Sequence, residues 1–184
     1  MIPLVHLGRP ALVLVDIAAW AVVHTATGYA VHRAPASWFA ADTWLTRGRA
    51  WERGGRCYER VRIRRWKDRL PEAGALFAGG MSKRHVPSHD DAGIAGFALE
   101  TRRAEWGHWL AAAGSLPFGL WNPPAIAAVM VVYGVAVNAP FIAIQRYNRL
   151  RIGRVLSRRE RAVSVRDVSA RSRNERGTTG SNIP

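Results

Sequence analysis

Ionisable side chains are concentrated in residues 100–109, immediately before the chain becomes apolar. In a helix, Arg102, Glu105 and His108 would follow one another at spacings of three, and Glu105 and Trp109 at a spacing of four. Side chains at these spacings are neighbours on a helix surface, so the carboxylate and the imidazole can meet. The segment therefore predicts an acid–base pair at the edge of an apolar region.

His108 is the first candidate for a general base. An imidazole titrates near neutral pH, and the carboxylate of Glu105 could orient the ring and stabilise its protonated form. Glu100 would complete this polar centre. The alternative is structural, because Trp106 and Trp109 flank His108 and indoles anchor proteins at membrane interfaces.

Two other interpretations of the ionisable residues remain open. His85 is an alternative base, beside Lys83 and Arg84, whose charges could bind phosphate. Glu105 and His108 also have the Glu-x-x-His spacing of carboxylate di-iron bundles. Such a site needs this motif twice together with further glutamates, and the sequence contains it once, so we expect no bound metal.

Long apolar segments must position these groups. Residues 124–144 carry no charge and reach the roughly 20 residues needed to cross the hydrocarbon core of a bilayer. Residues 12–31 are a second candidate, interrupted by Asp16, and residues 106–120 are a third that is short enough to cross or to re-enter. The predicted fold class is mostly α: an integral membrane protein with about three transmembrane or re-entrant helices.

Lysine and arginine set the orientation of these segments. Of 27 such residues, one precedes the first span, fifteen lie between Arg33 and Arg103, and eleven follow Ile144. The positive-inside rule places the central segment and the tail in the cytoplasm, which requires an even number of crossings between them. We therefore predict a multi-pass protein of the cell membrane, with the N-terminus outside and the C-terminus inside.

Composition divides the chain into four regions. They are an N-terminal anchor (1–33), a cytoplasmic interfacial region (34–105), a membrane hairpin (106–149) and a basic tail (150–184). We expect the tail to be largely disordered, because it is rich in Arg, Ser, Asn and Gly. A retained anchor is favoured over a cleaved signal peptide, because Asp16 interrupts the apolar run.

The interfacial region is basic and aromatic. Residues 51–71 place Trp, Tyr and aliphatic side chains among arginines, which is typical of a helical segment in the lipid headgroup layer. Each basic residue near an anionic surface contributes about 1 kcal/mol to such binding. A solvated basic helix is the alternative. Cys57 is the single cysteine, which excludes an internal disulfide and fits a cytoplasmic location.

Polar residues at the end of the strongest span also admit a structural explanation. Arg146 and Tyr147 are expected there as anchors that reach the interface. Glu100 and Arg103 could pair with Arg146 and hold the ends of the hairpin together. Asn138 is not explained in this way, because it lies within the bilayer and should face protein, substrate or water.

Three blocks with a common order and spacing carry a family resemblance over about residues 38–152. The blocks are Trp51-Glu52 with residues 65–71, residues 100–105 with His108-Trp109, and Asn138 and Pro140 with residues 145–149. Together they resemble the glycosyl-4,4'-diaponeurosporenoate acyltransferase family, membrane enzymes that attach a fatty acyl chain to the sugar of a glycosylated carotenoid acid.

The resemblance implies a small integral membrane acyltransferase that needs no cofactor and uses an acyl thioester as co-substrate. Its implied partners are membrane lipid, a lipophilic glycosylated substrate and the acyl donor. Since the sequence has no Gly-x-Ser-x-Gly elbow, we expect direct transfer without an acyl-enzyme. With the spacing, the resemblance assigns one set of residues to the acyl donor (Arg84, Arg102, Arg103, Arg146) and another to the glycosylated substrate (Asn138, Gln145, Tyr147, Asn148).

Two further classes of function were weighed against an enzyme. A non-catalytic membrane assembly factor or lipid-binding partner would use the Trp and Arg residues without needing His108. A nucleic-acid binder would account for the formal net charge of +14, but the charge is divided between loops that flank membrane segments. Because no helix-turn-helix, zinc or RNA-binding signature is present, we expect no nucleic-acid partner.

Overall fold

The computed structural model of the protein describes residues 8–70 and 91–179, and this part of the chain is helical and contains no strand. The mostly α fold class is therefore confirmed. Five α-helices are α1 (Arg9–Arg33), α2 (Arg56–Arg60), α3 (Ile63–Trp66), α4 (Asp91–Ala113) and α5 (Pro124–Thr179). Short 3₁₀ helices lie at Ala36–Phe39, Ala50–Gly55, Lys67–Arg69 and Leu116–Leu120.

Within the described residues, two helices are long and apolar enough to cross a membrane: Arg9–Arg33 and Pro124–Arg158. Only 11% and 17% of their most apolar windows are buried inside the protein, so these faces are not covered as those of a soluble core helix would be. Residues 106–120, predicted as a third membrane element, are divided between the end of α4 and the 3₁₀ helix Leu116–Leu120. Pro117 cannot continue an α-helix interior, which accounts for the division.

Helices α4 and α5 form an antiparallel hairpin, because the short Leu116–Leu120 helix reverses the chain between them. Close approach is permitted by Gly134, where a Cβ atom would stand 2.8 Å from the Trp20 ring and 3.0 Å from Ser115 Cβ. Small residues allow membrane helices to approach in this way. Helix α1 packs on α4.

A carboxylate is buried in the apolar helix α1. Asp16, which is 6% exposed, accepts hydrogen bonds at Oδ1 from Trp121 Nε1 and Asn122 Nδ2, each at 2.8 Å. Both donors come from the segment between α4 and α5. The residue that interrupts the first apolar run in the sequence therefore fastens α1 to the hairpin.

Residues 36–70 pack beside the C-terminal half of the hairpin. Ile63, Ile144 and Tyr147 form a buried apolar cluster there, against which Tyr58 and Trp66 are packed. The backbone turns sharply just before α2, where Arg53, Gly54 and Gly55 have φ values of 49°, 63° and 94°. At Gly55 a Cβ atom would also lie 3.5 Å from the backbone oxygen of Tyr147.

Helix α5 continues through Pro140 and extends to Thr179, through most of the region predicted to be a disordered tail. Residues 154–176 contain neither glycine nor proline. Since arginine, alanine and glutamate favour helix, composition alone is a poor guide to order in this segment.

Candidate functional site

Four charged side chains are buried together where α4, α5 and the Ala50–Gly55 helix meet. Glu52 and Glu105 are fully buried, and Arg146 and Arg149 are 7% and 8% exposed. We refer to these four residues as the charge cluster. Its formal charges cancel, as burial in a low-dielectric interior requires.

Arg146 is the centre of the charge cluster. Its Nε and Nη2 donate to the two carboxylate oxygens of Glu52 at 2.8 and 2.9 Å, and its Nη1 donates to Glu105 Oε1 at 2.7 Å. The carbonyl oxygens of Leu45 and Arg47 accept from Nη1 and Nη2 at 2.8 and 3.0 Å. All five N–H donors of a guanidinium group are thereby used.

Arg149 completes the cluster one turn further along α5. Its Nη2 donates to Glu105 Oε2 at 2.6 Å and also to the backbone oxygen of Thr46. Its Nε lies 3.7 Å from Asp42 Oδ1. The two arginines of α5 therefore hold both α4 and the segment that contains Asp42, Thr46 and Glu52.

The phenol of Tyr58 adds a further contact, donating to Glu52 Oε1 at 2.6 Å. Burial raises the pKa of the Glu52 carboxyl, but hydrogen bonds from Arg146, Tyr58 and the Arg49 backbone outweigh burial and lower the pKa overall. The pKa of Tyr58 is raised, by burial first and then by its hydrogen bond to Glu52. Glu52 is thus held as a carboxylate and Tyr58 as a neutral phenol.

His108 contacts a different set of residues on α5. Its Nδ1 is 2.9 Å from Asn138 Oδ1, and its ring stacks on Phe141 with 4.8 Å between ring centroids. Asn138 Nδ2 donates to the backbone oxygen of Gly134 at 2.9 Å, which fixes the orientation of the amide. Since Asn138 Oδ1 can only accept, a neutral His108 ring carries its proton on Nδ1 and its basic lone pair on Nε2. We refer to His108 and Asn138 as the imidazole pair.

The predicted pairing of Glu105 with His108 is replaced by two separate sets of contacts. Both carboxylate oxygens of Glu105 accept from Arg146 and Arg149, and Trp109 Nε1 adds a contact at 3.4 Å. Two guanidinium groups outcompete an imidazole for a buried carboxylate because they supply full charge and several donors. His108 takes Asn138 as its orienting partner instead.

The cations assigned to the acyl donor on α4 are bound to protein groups. Arg102 Nε donates to Asp42 Oδ1 at 2.5 Å, and Arg102 Nη1 donates to Ala40 O at 3.2 Å. Arg103 lies 3.4 Å from Glu100 and stands over the ring of Phe39 at 5.3 Å. The expected link from Glu100 and Arg103 to Arg146 gives way to this local pair, because Arg146 uses all its donors in the charge cluster.

The residues assigned to the glycosylated substrate lie along α5 in different environments. Tyr147 is fully buried, and its hydroxyl accepts from Arg64 Nε at 2.8 Å. Asn148 is 8% exposed. Gln145 is fully buried, and within the described part of the chain neither of its amide atoms has a hydrogen-bond partner. An unsatisfied buried amide costs about 1–3 kcal/mol, so Gln145 would gain from a polar ligand.

His85 and Arg84 lie outside the described residues, so the structure does not place the alternative base or its neighbouring cation. The sequence does contain a further signal here, because Asp90 follows His85 in a His-x-x-x-x-Asp arrangement. A carboxylate near an imidazole can orient the ring and stabilise its protonated form. His85 therefore stays a second candidate base.

Five polar residues of the site were not anticipated as such: Asp42, Thr46, Glu52, Tyr58 and Arg149. Glu52 and Arg149 had the clearest signal, since they belong to the first and the third of the three blocks that carry the family resemblance. Within residues 8–70 and 91–179, no three His, Cys, Asp or Glu side chains come together as a metal site would require.

Comparison with known proteins identifies the class. The relatives that share the segments carrying the charge cluster and the imidazole pair are acyltransferases. This protein is an acyltransferase as well. The chain belongs to the glycosyl-4,4'-diaponeurosporenoate acyltransferase family, whose sequence profile matches residues 35–158.

Two staphylococcal proteins illustrate the similarity. The glycosyl-4,4'-diaponeurosporenoate acyltransferase of Staphylococcus haemolyticus is 31% identical over 140 residues, which cover 76% of this chain and 81% of that protein. The protein of the same name from Staphylococcus aureus is 27% identical over 140 residues, covering 74% and 83% respectively. No solved structure matches the chain.

Proposed function

We propose that this acyltransferase moves a fatty acyl group from an acyl thioester to a hydroxyl on the sugar of a glycosylated carotenoid or a similar glycolipid. The observation that carries the proposal is the imidazole pair, which lies inside the segment shared with the family. An oriented imidazole is the group that activation of a sugar hydroxyl requires.

The chemistry follows from the tautomer that Asn138 selects. His108 Nε2 takes the proton of the sugar hydroxyl while the hydroxyl oxygen attacks the thioester carbonyl carbon. The C–O ester bond forms, the C–S bond breaks, and the proton passes from the imidazolium to the departing thiolate. Asn138 uses both ends of its amide on His108 and Gly134, so we assign it to positioning the ring. No acyl-enzyme and no cofactor is needed.

Recognition of the sugar is assigned to Gln145 and Asn148. The unsatisfied amide of Gln145 offers one donor group and one acceptor to a sugar hydroxyl, on the same face of α5 as Asn138. Reaching it requires a small separation of α4 and α5, as a lipophilic substrate entering between two helices would produce. Glu100, half-buried near the middle of α4, would contribute to this polar centre.

The enzyme is proposed to work at the cytoplasmic face of the cell membrane as a multi-pass protein, with its N-terminus outside and its C-terminus inside. Support comes from the uncovered apolar faces of α1 and α5 and from the distribution of lysine and arginine. Trp38 and Trp44 are 69% and 72% exposed, as expected of indoles that lie in a headgroup layer. Membrane lipid is then the immediate partner of residues 36–70.

The direct test uses the purified full-length protein in lipid nanodiscs, with glycosyl-4,4'-diaponeurosporenoate and an acyl thioester of coenzyme A. We expect an acylated glycoside by mass spectrometry, with kcat lowered about 10²–10⁴-fold by His108→Ala. His24→Ala is the matched control, since it removes another helical imidazole, one that stacks on Trp20.

Two outcomes would count against the proposal. If wild type forms no ester, the substrate assignment is wrong. If His85→Ala abolishes turnover while His108→Ala retains it, the base is the imidazole that precedes Asp90 and the role assigned to His108 is lost.

A further inference from the structure

An acyl thioester with a nucleotide carrier brings several phosphate groups, and the cations first assigned to them are already occupied. Arg146 uses all its donors inside the charge cluster, and Arg102 and Arg103 pair with Asp42 and Glu100. Binding phosphate at these residues would break existing ion pairs. A phosphate site should therefore lie elsewhere on the surface of the enzyme.

A basic pocket is formed by the Ala50–Gly55 helix and α2. It has a volume of about 480 Å³, within the range of small-molecule sites, and is lined by Trp51, Arg53, Arg56, Cys57 and Arg60. The three arginines are exposed. None of them forms a hydrogen bond or an ion pair with a residue of the described chain, unlike Arg102, Arg103 and Arg146.

The backbone that shapes this pocket is unusual. The backbone of Arg53 lies in the left-handed region, which is strained for any residue other than glycine. Gly54 and Gly55 continue the same conformation. A Cβ atom at Gly54 would stand 2.8 Å from Arg154 Cγ, so the turn is packed against α5. Strained residues held by their surroundings are common at ligand sites. The turn holds Arg53 at the mouth of the pocket beside Arg56 and Arg60.

We propose that this pocket binds the phosphorylated nucleotide carrier of the acyl thioester, with phosphates on Arg53, Arg56 and Arg60 and the base stacked on Trp51. The proposal rests on the acyl transfer proposed above. Guanidinium groups match phosphate oxygens in geometry and charge, and a purine stacks on an exposed indole. A lone phosphate would occupy only part of the pocket, whereas a nucleotide supplies both phosphate and an aromatic face.

The pocket is connected to the rest of the site. The rings of Trp51 and Tyr58 are 6.4 Å apart, and Tyr58 donates to Glu52, which in turn holds Arg146 on α5. A carrier bound in the pocket would therefore place its acyl arm beside the hairpin that holds His108. Cys57 lines the wall of the pocket, and burial and the nearby carboxylate of Glu52 raise the pKa of its thiol, which disfavours the nucleophilic thiolate.

The test is coenzyme A binding to the full-length protein in nanodiscs of neutral lipid, together with steady-state kinetics in the acyl thioester. We expect Arg56→Ala/Arg60→Ala to raise both Kd for coenzyme A and KM for the thioester about tenfold or more, with kcat changed less than about twofold. Trp51→Ala should raise the same two constants.

Matched controls lie in the same region of the chain. Arg65→Ala/Arg69→Ala removes the same charge from exposed positions outside the pocket, and Trp38→Ala removes an equally exposed indole. Both controls should leave Kd for coenzyme A unchanged. Equal effects of the two arginine pairs would overturn the proposal, because they would indicate only general attraction by the basic surface.

The remaining outcomes separate the possible ligands. If phosphatidylglycerol in the nanodiscs abolishes coenzyme A binding, and Arg56→Ala/Arg60→Ala weakens adhesion to vesicles of that lipid, the pocket holds a lipid headgroup and the proposal is wrong. If the enzyme forms ester but the pocket variants bind and react as wild type does, the pocket proposal fails while the acyl transfer stands. If coenzyme A binds through Arg56 and Arg60 but no ester forms, the pocket stands and the acyl transfer fails.

Discussion

The charge cluster and the imidazole pair both join α4 to α5 but use polar groups in opposite ways. In the charge cluster every carboxylate oxygen meets a guanidinium group, and Arg146 has no donor left for a ligand. In the imidazole pair the contact is neutral, and it fixes the tautomer of a ring that can exchange a proton. Glu105 and His108 are three residues apart on α4, so one turn of helix separates the two arrangements.

This difference indicates that the charge cluster stabilises the fold and that the imidazole pair takes part in the reaction. Breaking a buried ion pair leaves an uncompensated charge, so the charge cluster should control folding. Removing one partner of a neutral hydrogen bond costs less, about 1–3 kcal/mol, so the imidazole pair should affect the rate more than the folding. Substitutions in the two sets of residues test this distinction, and their expected effects decrease in the order given.

The largest effect is expected for Arg146→Met. The substitution leaves Glu52 and Glu105 buried with fewer partners, which should lower the free energy of unfolding by about 3–5 kcal/mol. Arg151→Met, at an exposed position of α5, is the control and should change it by less than about 0.5 kcal/mol. Denaturant titration in detergent micelles measures both. Equal stability of the two variants would show that the charge cluster does not hold the fold.

Asn138→Leu should show the opposite pattern. Removing the acceptor for His108 Nδ1 lets the ring adopt the wrong tautomer, and kcat should fall on the order of 10-fold to 100-fold. The free energy of unfolding should fall by about 1–3 kcal/mol, less than for Arg146→Met, because the neutral N–H of His108 loses its acceptor but no charge is left unpaired. Kinetics and thermal unfolding of the same preparation separate the two effects.

A double-variant cycle sharpens this prediction. If Asn138 acts by positioning His108, Asn138→Leu should cause little further loss of kcat when His108 is already alanine. Independent, multiplicative losses would instead place Asn138 in a separate role, such as contact with the sugar.

The smallest effect is a pH dependence at the edge of the charge cluster. Tyr58→Phe should lower the free energy of unfolding by about 1–2 kcal/mol at pH 8, because the phenol's hydrogen bond to Glu52 is lost. Since the folded pKa of Tyr58 is raised, its contribution is complete below the unfolded pKa of about 10 and is lost as pH rises through the folded pKa. The difference between wild type and Tyr58→Phe should therefore shrink from pH 10 upward. A difference that grows with pH would contradict the raised pKa.

Prediction from the sequence succeeded where the pattern is local. The uncharged run from residue 124 and the run before Arg33 both lie in helices that could cross a membrane, because length and hydropathy alone decide that property. The third membrane element stays a prediction, since residues 106–120 are divided between the end of α4 and the Leu116–Leu120 helix. Prediction failed at Asp16, which interrupts the apolar run in the sequence but in the structure is a buried tether between α1 and the hairpin.

By itself the sequence determined the helices, their apolar faces, the family and the residues from which a site could be built. Those properties depend on composition and on spacing along one chain. Tertiary structure alone decided which groups became partners. Spacing on α4 allowed Glu105 to contact His108. In the structure the Glu105 carboxylate instead accepts from Arg146 and Arg149 of α5, and the His108 imidazole contacts Asn138, 30 residues away. The physical reason is that a buried charge selects the partners that lower its free energy most, wherever they lie in the sequence.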